Sequence, residues 1–219
     1  MTIQIYSTEY KEPVPTDLLQ LLTASLPVDI IQKSKKYRRW QDAYGYLFGK
    51  LLLMSALQDA GLSGNLDDVK YNSYEKPYLL NGPDFNISHS GNRVVCALGK
   101  EGSIGIDIEE IKDLAIHDFK DLFSDREWQV IINAENPLTV FYHYWTAKES
   151  IIKADGRGLT IPLTKIEIGI TTKIPLSNRC WNVYKISHFK DYACHIATEE
   201  FIKQVGLKEL KPVEFLVRM

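Results

Sequence analysis

The chain has 219 residues, of which 45% are hydrophobic, and a formal net charge of -2. Such a chain can bury a substantial core in one large domain or two modest ones, and its near-neutral charge argues against a general nucleic-acid binder. We expect a cytoplasmic protein that does not span a membrane, because the N-terminus lacks a leader pattern and no apolar run approaches membrane-spanning length.

The cysteines are three in number and form no CxxC pair; they are Cys96, Cys180 and Cys194. An odd set without this spacing indicates neither a disulfide framework nor a zinc site. We expect all three to be small buried residues.

The first sixty residues predict one strand and two helices. Alternation from Ile3 to Tyr6 indicates an edge strand, and two prolines then precede a leucine-rich helix from Leu18 to Leu26. Apolar residues recur every three or four positions from about Ser34 to Ala60, which predicts a long helix. A basic cluster lies at its start: Lys33, Lys35, Lys36, Arg38 and Arg39. Cations there oppose the helix dipole, so a solvated helix start and a second interaction that holds them both remain open.

A polar segment from Phe85 to Arg93 follows a predicted turn at Tyr74 to Tyr78 and leads into a predicted strand from Val94 to Leu98. We interpret its Ser88-His89-Ser90-Gly91 sequence as a loop between two strands. Hydroxyls, backbone amides and an imidazole grouped in this way suit a phosphate oxygen, whereas a lone histidine in a loop is often simply exposed. The sequence leaves both interpretations open.

The segment from Ser103 to Ile111 gives the most specific indication of a functional site in the sequence. Strand alternation places three isoleucines on one face and Asp107 and Glu109 on the other. Two neighbouring carboxylates on an otherwise apolar strand repel each other unless they are solvated, protonated or neutralised by a cation. Oxygen ligands combined with a phosphate-bearing substrate are typical of Mg²⁺. A magnesium site is therefore predicted, and an exposed strand end with two acids is the alternative.

A second acidic position lies on a predicted short helix from Trp145 to Lys153. Glu149 and Lys153 are four residues apart, so a carboxylate and an ammonium share one face. Gly156 then ends the helix. Such a pair on a surface stabilises a helix by only about 0.3 to 0.5 kcal/mol and is common, so the spacing alone leaves a structural role open.

The remainder of the chain predicts helix and strands without further catalytic candidates. Phe119 to Ile131 has helical character, with a capping box at Ser124 to Glu127, and is either core or partner surface. Strands are predicted at residues 166–170, 181–186 and 192–198. Short matches between the halves, such as Ile87-Ser88-His89 and Ile186-Ser187-His188, suggest a duplicated unit with a cleft between its copies.

In their order along the chain, these segments resemble the 4'-phosphopantetheinyl transferases of the Sfp type. The resemblance rests on Gly105 to Glu109, Trp145 to Lys153, Lys76-Pro77 and Asn86 to Ser90, and covers residues 38–159. It implies an α+β fold, a monomeric pseudo-dimer of two similar α/β lobes related by a pseudo-twofold. The implied lobes are residues 1–102 and 103–219, with the active site between them.

The resemblance implies that 4'-phosphopantetheine is transferred from coenzyme A to a serine of an acyl or peptidyl carrier protein, with release of adenosine 3',5'-bisphosphate. Asp107, Glu109 and Glu149 would hold Mg²⁺ on the pyrophosphate, and Lys153 would contact the same phosphates. Glu149 or a metal-bound water would take the proton of the serine. Charge that develops on the leaving oxygens would then be stabilised electrostatically.

For coenzyme A itself, the resemblance implies that Ser88 and His89 bind a phosphate, His89 the 3'-phosphate, with help from Lys76 and Arg39. The carrier protein would dock near Phe119–Trp128. Two other functions remain open on the sequence: another magnesium-dependent phosphotransferase or pyrophosphatase, which would act without a carrier, and a carrier-protein or coenzyme A binding module without catalysis.

Overall fold

The computed structural model of the protein describes residues 1–100, 102–169 and 172–218, and within them it leaves the Leu159 side chain undescribed. The helices are α1 (Thr16–Thr23), α2 (Val28–Ser34), α3 (Trp40–Asp59), α4 (Asp125–Ile132) and α5 (Pro137–Asp155). The strands are β1 (Thr2–Glu9), β2 (Val69–Tyr71), β3 (Pro77–Leu79), β4 (Asp84–Ser90), β5 (Arg93–Gly99), β6 (Ile104–Glu110), β7 (Lys173–Leu176), β8 (Arg179–Lys185), β9 (Tyr192–Thr198) and β10 (Gln204–Glu209). Short 3-10 helices lie at Leu66–Asp68, Ile116–Leu122, Gly158–Thr160, Leu163–Lys165 and Pro212–Arg218. In this described part of the chain, no helix is long and apolar enough to cross a membrane.

Two four-stranded sheets and one hairpin form the mixed α and β fold. The first sheet has the order β10-β1-β5-β4, the second has the order β6-β9-β8-β7, and β2 pairs with β3. β10 runs parallel to β1, and the other strand pairs are antiparallel. The same succession of elements occurs once in each sheet. In the first sheet it is β1, α3, β4 and β5, and in the second it is β6, α5, β8 and β9. The last strand of each set, β5 or β9, lies between the other two strands.

Helix α3 covers the first sheet and α5 covers the second. Their apolar faces pack into separate cores around Phe48 and Phe85 on one side and around Ile151 and Trp181 on the other. A third core, which includes Ile106, lies between the sheets and is built largely from β1, β5, β6 and β9. The expected alternation of β6 is therefore confirmed, since its isoleucines face this layer while its acids face α5.

Three local predictions for the first half of the chain are wrong. β1 is not an edge strand, because β10 arrives from the far end of the sequence to pair with it. The long helix begins at Trp40 rather than Ser34, since Ser34 ends α2 and Arg39 is the N-cap of α3. Ser88-His89-Ser90 is the end of β4 rather than a loop, and only Gly91, with φ of 55°, begins the turn.

Two further predictions also differ from the structure. Residues 163–165 form a 3-10 helix and residues 166–169 form no strand, while Ile170 of that predicted strand lies outside the described residues. Their apolar side chains, Ile166 among them, pack against α5 without forming a ladder. Cys96 and Cys194 are buried as expected, but Cys180 is exposed on β8, where it pairs with Pro175 of β7.

The two sheets are joined where the edge strand β4 meets the edge strand β6. Alternate β4 side chains accept hydrogen bonds from alternate β6 amides: Asp84 from Ile104 at 2.7 Å, Asn86 from Ile106 at 2.9 Å, Ser88 from Ile108 at 3.3 Å and Ser90 from Glu110 at 3.1 Å. Polar side chains thus satisfy the amides that an edge strand would otherwise leave free. We call this contact the side-chain ladder.

Candidate active site

Gly105 allows α5 to lie directly on β6. A Cβ atom at this position would overlap the Ser150 carbonyl oxygen and the Ala154 backbone nitrogen. With only a hydrogen there, the helix backbone rests on the strand, two residues before Asp107. The close approach sets the height of Glu149 and Lys153 over the strand, so the glycine is part of the geometry of the site.

Lys153 and Asp107 form an ion pair at the centre of the site. The Lys153 ammonium lies 2.6 Å from Asp107 Oδ1 and donates to Ser88 Oγ at 2.8 Å. Ser88 Oγ in turn donates to the same Asp107 oxygen at 2.9 Å. The other oxygen, Asp107 Oδ2, is buried and has no hydrogen-bond partner among the described residues. A buried, unpaired carboxylate oxygen is costly and indicates a place for a cation.

The other two predicted acids face the same cavity. Glu109 accepts a hydrogen bond from Ser90 Oγ at 2.6 Å. Glu149 has no hydrogen-bond or ion-pair partner in the described part of the chain. Burial, and then the charge of Asp107, raise the pKa of both carboxyls, which Lys153 partly opposes. The cluster therefore carries unneutralised negative charge, as the sequence predicted for Asp107 and Glu109.

The acids do not already form a complete metal cage. Among the described residues, no group of three or more histidine, cysteine or acidic side chains is placed so that it would hold a metal ion. The ammonium of Lys153 pairs with Asp107 Oδ1, which leaves Oδ2 as the unpaired oxygen of that carboxylate. The donor set consists of carboxylate oxygens, and those of Glu149 also lack a partner among the described residues, which fits a hard divalent ion.

His89 lies at the rim of this cavity, with its ring against α3. A Cβ atom added to Gly45 would lie 2.6 Å from His89 Cγ, so the imidazole packs on the helix although the residue is exposed. Packing of the ring, followed by the charge of Lys153, lowers the His89 pKa. Arg39 is exposed at the N-cap of the same helix, and no side-chain partner for it occurs among the described residues.

Lys76 occupies a structural position instead of an open one. Its ammonium donates to Asp84 Oδ2 at 3.2 Å, to the Ile104 carbonyl at 3.2 Å and to the Ala154 carbonyl at 3.0 Å. These contacts use all three ammonium hydrogens and join the β2–β3 hairpin to β6 and to the end of α5. Phosphate binding by Lys76 stays a prediction, and it would require some of these bonds to break.

A buried ion pair that was not predicted from the sequence lies beside the site. Lys148 and Glu127, each at most 1% exposed, are 2.7 Å apart, and Lys148 also donates to the carbonyls of Leu163 and Ile166. Glu127 completes the capping box of α4 and accepts from the Ile168 amide. Both residues lie in recognisable motifs, since Lys148 directly precedes Glu149 and Glu127 belongs to the capping box. No pattern in the local sequence indicates that they form a pair, because they lie on different helices.

Three adjoining cavities form a groove across the site. The middle cavity, of about 350 Å³, is lined by the acids, Lys153, Ser88, His89 and Trp145. It shares Glu149 and Lys153 with a cavity of about 250 Å³ beside the turn at residues 74–77. On the other side it shares Glu109 and Trp145 with a cavity of about 170 Å³ lined mainly by aromatic side chains. The predicted residues other than Arg39 line this groove.

The predicted docking segment, Phe119–Trp128, has two of its aromatic side chains in the core. Phe123 is 5% exposed and packs against Phe141, and Trp128 is also buried. Phe123 is therefore not available to a partner. Exposed apolar side chains instead flank the segment in sequence, at Leu114 before it and at Val130 after it.

Comparisons with known proteins show the family to which the chain belongs. A family model described as the 4'-phosphopantetheinyl transferase superfamily matches residues 103–197. The chain is 33% identical over 177 residues to a 4'-phosphopantetheinyl transferase of Bacillus subtilis, and 30% identical over 172 residues to the 4'-phosphopantetheinyl transferase Sfp of Bacillus subtilis strain 168. Each alignment covers 76% of this chain and 76% of the relative. The chain is also 31% identical over 175 residues to the 4'-phosphopantetheinyl transferase HetI of Nostoc sp., and that alignment covers 74% of this chain and 72% of HetI. The chain belongs to the 4'-phosphopantetheinyl transferase family.

Proposed function

We propose that this protein transfers 4'-phosphopantetheine from coenzyme A to a serine of an apo acyl or peptidyl carrier protein and releases adenosine 3',5'-bisphosphate. Membership of the family supports the reaction. The observation that carries it in this chain is the convergence of three carboxylates and Lys153 on one cavity. Transfer of this kind needs positioning and electrostatic stabilisation more than covalent chemistry, and this cluster supplies both.

Asp107, Glu109 and Glu149 are proposed to hold Mg²⁺. The unpaired Asp107 oxygen supports this role, as does the raised pKa of the two glutamates, which reflects burial first and then the charge of Asp107. A cation would relieve both. When bound, the ion supplies Lewis-acid stabilisation of the pyrophosphate oxygens. Lys153 is proposed to move its ammonium from Asp107 towards the same phosphate oxygens.

Glu149 is proposed as the proton acceptor for the attacking serine, directly or through a water. It faces the cavity and has no partner within the described residues, and a raised pKa makes a carboxylate a better base near neutral pH. Ser88 and His89 line the same cavity and are proposed to contact a coenzyme A phosphate, His89 the 3'-phosphate. Lys76, which lines the adjoining cavity, and the exposed Arg39 are proposed to assist.

The finer architecture is also proposed. The repeated strand order supports two lobes related by a pseudo-twofold, with the groove at their junction. The lobes are proposed to meet at residue 102, and the pairing of β10 with β1 supports assigning the last segment of the chain to the first lobe. A monomer is proposed to dock the carrier protein near Phe119–Trp128, where the exposed side chains of Leu114 and Val130 flank the segment.

Mass spectrometry of an apo carrier protein incubated with this protein, coenzyme A and Mg²⁺ tests the reaction. A gain of one phosphopantetheine is expected, and it should disappear with a chelator or with a carrier that lacks its serine. Cleavage of coenzyme A without a carrier would favour a pyrophosphatase. Bound coenzyme A without modification of several carrier types would favour a binding module.

A further inference from the structure

The hydroxyl of Ser90 connects the two sheets at the edge of the acid cluster. Its oxygen accepts a hydrogen bond from the Glu110 amide at 3.1 Å and lies 2.6 Å from Glu109 Oε2. A hydroxyl has one hydrogen, and the amide can only donate, so the Ser90 hydrogen points at the Glu109 carboxylate. This short bond to a charged acceptor is of the stronger kind.

Glu109 needs such a tether because its neighbours repel it. Burial and then the charge of Asp107 raise the Glu109 pKa, while the Ser90 bond acts in the opposite direction. Without an attachment, a flexible glutamate side chain would rotate away from Asp107 towards solvent. The bond to Oε2 fixes the carboxylate while Glu109 lines two of the three cavities of the groove.

Ser88 repeats the arrangement one step along the ladder. It accepts from the Ile108 amide at 3.3 Å and donates to Asp107 Oδ1 at 2.9 Å. Asn86 occupies the preceding rung and accepts from the Ile106 amide, but no hydrogen bond joins it to a carboxylate among the described residues. The ladder therefore contains rungs that only join the sheets and rungs that also orient an acid.

We propose that Ser90 is a positioning residue, whose hydroxyl, held by the Glu110 amide, fixes the Glu109 carboxylate beside Asp107. The significance of that geometry for catalysis rests on the proposed function. The first sheet thus sets the orientation of acids that the second sheet carries, and the site requires both sheets even though its three acids belong to β6 and α5.

The test compares Ser90→Ala with Ser90→Thr, which keeps the hydroxyl. Affinity for Mn²⁺, a paramagnetic substitute for Mg²⁺, is measured by electron paramagnetic resonance on the full chain. Removal of a hydrogen bond that orients a ligand typically weakens metal binding about 10- to 100-fold. We expect this loss for Ser90→Ala, recovery to within about threefold for Ser90→Thr, and no change for Ser187→Ala, an exposed serine at the β8–β9 turn.

Asn86→Ala separates positioning from simple loosening of the ladder. It removes a rung of the same type without touching an acid, so it should lower the denaturation midpoint while Mn²⁺ affinity stays within about threefold of wild type. An equal loss of Mn²⁺ affinity in Asn86→Ala and Ser90→Ala would overturn the positioning role. So would a Ser90→Ala protein with wild-type affinity.

A metal-free measurement distinguishes failure of this inference from failure of the proposed function. With glutamate labelled at the δ carbon, Ser90→Ala should shift the ¹³C resonance of Glu109, and Ser90→Thr should restore it. Wild-type protein that binds no Mn²⁺ and modifies no carrier would contradict the proposed function while this shift still upheld the Ser90–Glu109 bond. An unshifted resonance would overturn the inference even if the transferase reaction were demonstrated.

Discussion

Glu149 combines a buried setting with a carboxylate that has no partner among the described residues. We expect Glu149→Gln to lower the transfer rate by at least about 10²-fold, because the amide can neither accept the proton nor neutralise a cation. Stability without metal should be unchanged or slightly higher, since repulsion from Asp107 and Glu109 is removed. Carrier modification rates and denaturant unfolding measure the two effects. Glu12→Gln, at an exposed site, is the matched control, and a near-normal rate in Glu149→Gln would rule out the assigned role.

His195 makes the stability of the fold dependent on pH. Burial, followed by the charges of His143 and Lys185, lowers its pKa from 6.5 to about 3, and its Nδ1 lies 2.8 Å from Thr146 Oγ1. The folded protein therefore keeps this imidazole neutral where the unfolded chain protonates it. Stability is fully present above pH 6.5 and falls as pH decreases towards 3, by at most about 1.4 kcal/mol per pH unit for one proton.

Replacing His195 by glutamine should flatten that dependence. Glutamine keeps a donor for Thr146 but does not titrate, so the free energy of unfolding should fall less between pH 6.5 and 4 than in wild type. Urea unfolding at several pH values measures the slope. His188→Gln changes an exposed histidine and should leave the slope unaltered; identical slopes in all three proteins would contradict the assignment.

At the scale of elements, the contact between α5 and β6 at Gly105 holds the site together. We expect Gly105→Ala to destabilise the fold by about 1 to 3 kcal/mol or more, because the added methyl group overlaps the helix backbone. Glu149 and Lys153 would shift relative to Asp107, and a displacement of about 1 Å can cost about 10²-fold in rate. Thermal unfolding and carrier modification test both effects. Gly169→Ala is the control, since nothing lies within 4 Å of the added atom, and it should change neither the thermal unfolding nor the transfer rate.

At the scale of the whole molecule, a segment from the last residues of the described chain packs into the core of the first sheet. Phe215 is 2% exposed and packs with its ring centroid 5.8 Å from that of Phe48 in the core of the first sheet. We expect Phe215→Ala to cost about 3 to 5 kcal/mol of unfolding free energy, typical of a buried aromatic truncation. Val217→Ala, at a residue that is 91% exposed, should cost almost nothing. Equal effects in denaturant unfolding would show that the terminal segment adds little to the first core.

Local sequence was informative wherever the determining interaction is local. The alternation of β6, the capping box at Ser124 and the end of α5 at Gly156, with φ of 82°, were all predicted because neighbouring residues set them. The motifs around Asp107 and Glu149 also identified the family, since their order and spacing are distinctive. Each of these features depends on a stretch of only a few residues.

The errors arise where distant segments meet. The sequence of Ser88 to Ser90 is compatible with a strand or with a loop. The two serines alternate because their hydroxyls accept hydrogen bonds from β6 amides, and the position of β6 beside β4 is a tertiary contact. β1 looked like an edge strand because its second partner, β10, is some two hundred residues away. Lys76 looked like a free cation because its three acceptors lie on separate segments of the chain.

The sequence by itself determined the family and predicted the acids and lysine of the proposed site, with the helix and strand that carry them. Only the tertiary structure decided which cations are already bound, which acid oxygen is unpaired, and that the serines of one sheet orient the acids of the other. The chemistry of a side chain belongs to the residue itself, and its place on a helix or strand can be predicted from the residues beside it in sequence. Which side chains bind one another depends on segments that are far apart in the chain. Burial and close packing bring those segments together only when the whole molecule folds.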